Sequence, residues 1–332
     1  MKKVLFATTA LVASAGIASA DVAVSGFAEL GILDDGAETQ FHTDIDVTFT
    51  MSGETDGGLT FGASIDLDES DGDPSGAFDA DTQGGESIFV SGGFGTLTMG
   101  DTDGAFDAAM TEAIIGGAIN DDHEHAGYNG NAGFDGLGKD GQIARYDYSF
   151  GDLGLHISAE IDDAGVDDPT LGLAVTYSTD LGGVDLGLGL AYQSAEVSIA
   201  SGTTVGAIVA TSDLVVEADI IGLSVSADFA GGFSAIANYS TVSADVNGAD
   251  SGVDPTHFGL ALGYTMDALT VAVNYGEYDE WVLRGAPDSE GFGLVVNYDL
   301  GGGAEAQFGY GSNDTGSAAD EDTFSLGLAL SF

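Results

Sequence analysis

The sequence predicts an all-β fold, a transmembrane antiparallel β-barrel of sixteen strands. Three observations carry this reading. Apolar and polar residues alternate along segment after segment. Beyond the amino terminus no apolar run reaches the length of a membrane-spanning helix. The connections between segments alternate between short and long, as in outer-membrane barrels.

The chain opens on MKKVLFATTALVASAGIASA. Lys2 and Lys3 precede a short apolar stretch, and Ala18-Ser19-Ala20 supplies small residues for cleavage. Residues 1–20 therefore read as a secretory signal peptide, and residues 21–332 as the barrel. Removing the leader leaves only Lys139, Arg145 and Arg284 against 55 acidic residues. Such a charge repels nucleic acid and attracts cations. The 44% apolar content argues against disorder, so charge and apolar surface must be segregated. With no cysteine, this exported chain holds together without disulfides.

Each element follows from the same rule. In Gln40–Ser52, Phe41, Ile45, Val47, Phe49 and Met51 fall on one face, and His42, Asp44, Asp46, Thr48 and Thr50 on the other. After the turn GETDGG, Leu59–Asp68 repeats it. The whole set is Val22–Leu33, Gln40–Ser52, Leu59–Asp68, Glu86–Gly92, Thr96–Gly100, Gln142–Phe150, Leu153–Ile161, Thr170–Ser178, Val184–Gln193, Asp219–Phe229, Phe233–Val242, His257–Met266, Leu269–Tyr278, Glu290–Tyr298, Ala304–Gly311 and Thr323–Phe332. The stretch 196–218 has room for one more short hairpin. All four prolines, Pro74, Pro169, Pro255 and Pro287, fall in long connections, where they interrupt no ladder. Phe61, Phe150, Tyr177, Tyr192, Tyr239, Tyr264, Tyr298 and Phe332, near strand ends, suit girdles at the two membrane interfaces.

Three stretches resemble the general bacterial (Gram-negative) porins of alphaproteobacterial type. They are FTMSGETDGGLTFGASIDLDES followed by FVSGGFGTLTMGD, then QIARYDYSFGDLGL, then the terminal TFSLGLALSF. The resemblance implies an outer-membrane homotrimer passing small hydrophilic solutes by passive diffusion, set among lipid and lipopolysaccharide. It also implies that the third long loop enters the lumen as a constriction, and that the assembly machinery recognises the terminal aromatic, Phe332. The long connection 101–141 stands in the place of that loop.

The loop carries Asp101, Asp103, Asp107, Glu112, Asp121, Asp122 and Glu124, and inward parity places Asp44, Asp46, Asp66, Arg145, Asp147 and Glu160 on the pore wall. The family sets an acidic loop against a basic wall; here Arg145 is the wall's one cation, so a negative lumen favouring cations is expected. No nucleophile, phosphate-loop or CxxC motif argues for an enzyme, and no cofactor is expected. Asp314, Asp320, Glu321 and Asp322 are candidates for loosely held Ca²⁺. Two alternatives share parts of the pattern. A substrate-selective outer-membrane barrel would show saturable, solute-blocked conductance. A secreted acidic calcium-binding β-sandwich would be a soluble monomer.

Overall fold

In hydrocarbon, every backbone N–H and C=O must be paired within the protein, so a sheet that spans a membrane has to close on itself. This one does. The computed structural model describes residues 21–68, 85–119, 133–137, 139, 141–205, 208–209, 211–279, 289–314 and 321–332. The leader expected at 1–20 lies outside them.

The elements, in chain order, are β1 (Asp21–Asp34), β2 (Thr39–Glu54), β3 (Thr60–Asp68), β4 (Glu86–Gly92), β5 (Gly95–Asp101), α1 (Ala105–Ala109), β6 (Gln142–Phe150), β7 (Leu153–Glu160), β8 (Thr170–Asp180) and β9 (Val184–Ile199). Then come β10 (Thr204–Val205), β11 (Ile208–Val209), β12 (Leu214–Phe229), β13 (Phe233–Val246), β14 (Ala249–Asp250), β15 (Thr256–Met266), β16 (Leu269–Asp279), β17 (Ser289–Gly301), β18 (Ala304–Asp314) and β19 (Glu321–Ser331). Each wall strand pairs antiparallel with its neighbours, and β19 closes the ring against β1 with Phe27 opposite Ser331 and Asp34 opposite Phe324. The amide of Phe332 donates to the carbonyl of Gly26, extending that seam by one more rung.

Three of these strands stand outside the wall. β10 and β11 pair only with each other, and β14 folds back on the end of β13. The wall itself therefore has sixteen strands. The short β10–β11 ladder is the hairpin for which 196–218 had room.

The main departure from the predicted boundaries is also here. β9 continues to Ile199 rather than Gln193, and β12 begins at Leu214 rather than Asp219. In this extension Glu196 lies opposite Glu217. Both stand on the face that lower down carries Tyr192, Ile221 and Leu223. Acids there interrupt the apolar alternation, so the periodicity that marks a lipid-facing strand disappears while the ladder continues.

The apolar band faces out. Phe41, Ile45, Phe61, Ile88, Leu173, Leu190, Leu223, Leu262, Val273 and Leu326 are all exposed, and in each strand they alternate with polar or small residues. At the tight-turn end, the expected aromatics form a ring. Phe150 meets Tyr148 and Phe233 meets Tyr264, each with centroids 4.5 Å apart. Tyr177, Tyr298 and Phe332 stand exposed at the same end. The tight turn after β6 uses Gly151 at φ 66, a left-handed conformation that L side chains rarely adopt.

Candidate functional site

The inner face of the barrel is not an empty polar surface. The segment after β5 turns inward and runs along the wall. The amide of Ala105 donates to the Ser158 hydroxyl of β7 at 2.8 Å, and that of Thr111 to Ser224 of β12 at 2.9 Å. Asn238 of β13 donates to the carbonyl of Thr111 at 3.1 Å. Asn297 of β17 both accepts from Gly117 at 3.1 Å and donates to its carbonyl at 2.7 Å. Every one of these wall residues has the parity opposite to the exposed apolar band.

Packing explains why the loop lies so close. α1 is one turn of helix, unforeseen from the sequence because its alanines and glycine neighbours carry no helix periodicity. It buries Ala105, Phe106 and Ala109 against Ala174, Ala191 and Ile220. The wall strands present small residues along the path. A Cβ on Gly189 would lie 2.1 Å from the Ala109 carbonyl oxygen, and one on Gly222 2.7 Å from Phe106 and Met110. Further along, Gly259 meets Ala113, Gly263 meets Ile115, and the opposed pair Gly31 and Gly327 meets Ile119. This track of glycines carries the loop from β7 around to β1. On the neighbouring strands, Asp44 and Asp46 of β2 and Asp66 of β3 stay half-buried rather than covered, while Arg145 of β6 reaches the loop at Asp103.

The returning limb is fastened at the root. Gln193 of β9 is 0% exposed; its Oε1 accepts from the Phe134 amide at 2.6 Å and its Nε2 donates to Asp135 at 2.5 Å. The other oxygen of Asp135 accepts from the Gly104 amide at 2.7 Å, joining the two limbs. Glu160 of β7, 1% exposed, accepts from Gly136 at 3.1 Å and from Gly141 at 2.9 Å, one amide per oxygen.

Charge gathers where the segment before α1 meets β6. Arg145 donates to the Asp103 carbonyl at 2.6 Å and to Asp147 at 3.1 Å, and lies 3.9 Å from the Asp103 carboxylate. Asp147 in turn holds His156 at 2.7 Å, and the other nitrogen of that ring lies 3.1 Å from the Thr176 hydroxyl. Burial pushes the Asp107 carboxyl up to about 6, with Asp103, Glu112 and Asp135 adding to the rise and Arg145 opposing it. Asp135 is raised as well, first by burial, although its bonds from Gly104 and Gln193 work in the other direction.

The predicted residues are distributed as follows. Asp103, Asp107, Glu112 and Arg145 come together, whereas Asp101 ends β5 beside Gly85. Asp44, Asp46 and Asp66 take inward positions on β2 and β3, half-buried, with Thr48 donating to Asp66 at 2.9 Å. Glu160 is a correction: it points inward as expected, but the loop covers it and its oxygens are spent on loop amides, so it offers no open charge to the lumen. Asp121, Asp122, Glu124 and Asp320 lie outside the described residues. Asp322 accepts from Tyr310 at 3.0 Å, and Asp314 lies opposite Glu290. Among the described residues, no three His, Cys, Asp or Glu side chains form a metal-binding group. In the sequence Asp135 reads only as one more loop acid, and sequence reasoning missed Ser158, Gln193, Ser224, Asn238 and Asn297. The five wall residues have inward parity, but parity does not separate a residue wetted by the lumen from one covered by a loop.

A family model described as Gram-negative porin matches residues 7–318. A porin of Rhodobacter capsulatus is 30% identical over 306 residues, covering 89% of this chain and 95% of that protein. A solved porin structure aligns over 94% of this chain and all of the other, with a TM-score of 0.70 and 26% identity. A variant of the Rhodopseudomonas blastica porin shares the fold at a TM-score of 0.61 and 19% identity, over 94% of this chain and all of the other.

Proposed function

The chain belongs to the Gram-negative porin family of the outer membrane, and from that premise we propose that it forms a water-filled, cation-preferring channel for passive diffusion of small hydrophilic solutes. One observation carries the preference. The inner faces of β2 to β6 hold Asp44, Asp46 and Asp66, all half-buried rather than covered. Their one described Lys or Arg is Arg145, already held by Asp103 and Asp147. Among the described residues of these strands, a permeating ion therefore meets fixed carboxylates whose one cation is already paired. The loop acids Asp103, Asp107 and Glu112 add to the same sign.

In this reading the loop narrows the channel, the acids of β2 and β3 attract the permeating cation, and Arg145 fixes the loop rather than the selectivity. A homotrimer, inserted by the barrel-assembly machinery and surrounded by lipopolysaccharide, is the assembly that family membership supports. The test is the reversal potential of purified protein across a potassium chloride gradient in a planar bilayer. Cation preference that weakens as salt shortens the Debye length supports the proposal. Anion preference at low salt sinks it.

A further inference from the structure

The root of the loop is built differently from the rest of its path. Along the wall, neutral hydroxyls and amides hold the first limb. At the root, two carboxylates and a buried amide tie both limbs together and to the barrel. Gln193 reads residues 134 and 135 with both of its side-chain atoms, as an acceptor and as a donor. Asp135 spends one oxygen on Gln193 and the other on Gly104. Glu160 spends one oxygen on each of Gly136 and Gly141. Each of these acceptor oxygens is matched to one donor, and beside them Lys139 donates to the Glu196 carbonyl of β9 at 3.0 Å. Hydrogen bonds to charged acceptors in such a covered place are among the stronger ones a protein makes.

We propose that Gln193, Asp135 and Glu160 form a latch that fixes the root of the loop and so holds the channel in one steady conducting level. The proposal rests on the reading of the loop as the channel's inner lining, but not on cation preference. The three are positioning residues: they act through the loop backbone and touch no solute.

The latch has a proton dependence that follows from its donors and acceptors. The groups facing Asp135 are Glu160 from β7, Asp103 from the first limb and Asp107 from α1. Burial and these like charges favour its protonated form as the pH falls. A protonated Asp135 is neutral and turns one of its two acceptors into a weaker hydroxyl oxygen, so the bond from either Gly104 or Gln193 is weakened. The native latch therefore loosens in acid. Gln193→Glu inverts this behaviour. At neutral pH it sets two carboxylates at a contact now spanned by a 2.5 Å hydrogen bond. In acid, one shared proton restores the missing donor.

The experiment records single channels of the full-length protein in symmetric salt at about pH 7.5 and about pH 5, with native protein, Gln193→Glu, Gln193→Met and Glu160→Gln. Loss of one hydrogen bond to a charged group predicts about a tenfold to hundredfold rise in time spent at sub-conducting levels. Native channels should become noisier in acid, Gln193→Glu quieter, and Gln193→Met and Glu160→Gln noisy at both values. Heat-modifiability on gels shows that each barrel has folded. If Gln193→Glu does not fold, the Gln193→Met and Glu160→Gln recordings decide. Folded variants as quiet as native protein, or Gln193→Glu changing with pH in the native direction, overturn the latch while leaving the channel standing. Native protein that opens no channel overturns both.

Discussion

The glycine track along the inner wall makes a prediction that separates seating of the loop from folding of the barrel. Gly189 and Gly187 share one strand and one face of β9, two residues apart, yet they meet different neighbours. A Cβ on Gly189 would come 2.1 Å from the carbonyl oxygen of Ala109 and 3.1 Å from its carbon, both backbone atoms. A Cβ on Gly187 would meet the Ser226 hydroxyl at 2.5 Å, a side chain free to rotate away, with the next atom at 3.9 Å. Restoring ordinary contact at Gly189 means lifting α1 off the wall by about 1 Å, and overpacking of this kind costs about 1–3 kcal/mol. Lifting α1 moves it into the lumen, since the barrel wall is behind it. Gly189→Ala should therefore lower unitary conductance, and Gly187→Ala should leave it near native. Both should fold to heat-modifiable barrels. Equal conductance in the two variants would refute the seating argument.

Other expectations follow from the same structure. Leu326→Arg, in the middle of β19 on the lipid side, should destabilise the barrel by about 2–4 kcal/mol in a refolding titration, while lumen-facing Ser64→Arg should be tolerated. Asp107 titrates near 6, above the ordinary carboxylate range, so the folded protein takes up its proton first. This group's contribution to stability grows as the pH falls through 6. Cation preference should fall over the same window, and Asp107→Asn should remove that pH step from the reversal potential. Deleting Phe332 removes the rung to Gly26 and should reduce the yield of assembled barrel far more than the conductance of the channels that form.

Most of the barrel was legible because lipid and water impose opposite demands on alternate residues. Phe41 beside His42, or Tyr146 beside Arg145, announces its face without any knowledge of its neighbours. Where that contrast fades the reading fades too, as at Glu196 and Glu217, which continue a ladder after the apolar alternation has stopped. The loop was harder for a different reason. Gly189, Gly222 and Gly263 on the wall, and Ala105 and Ala109 on the loop, are ordinary small residues until they meet. Glu160 reads as a pore acid by parity, and only the amides of Gly136 and Gly141 reveal that it belongs to the loop. Contacts between two distant stretches leave no periodic trace in either.

The seam between β1 and β19 bears on the order in which the molecule is made. Phe27 finds its partner in Ser331, and Leu33 finds its own in Ser325. During synthesis and export β1 therefore waits with one edge unpaired until almost the whole chain has emerged. Contacts of such long range form slowly, and an open strand edge is a template for wrong partners in the meantime. The closed ring leaves no edge for another chain to pair with, and until β19 reaches β1 both edges are open to wrong partners.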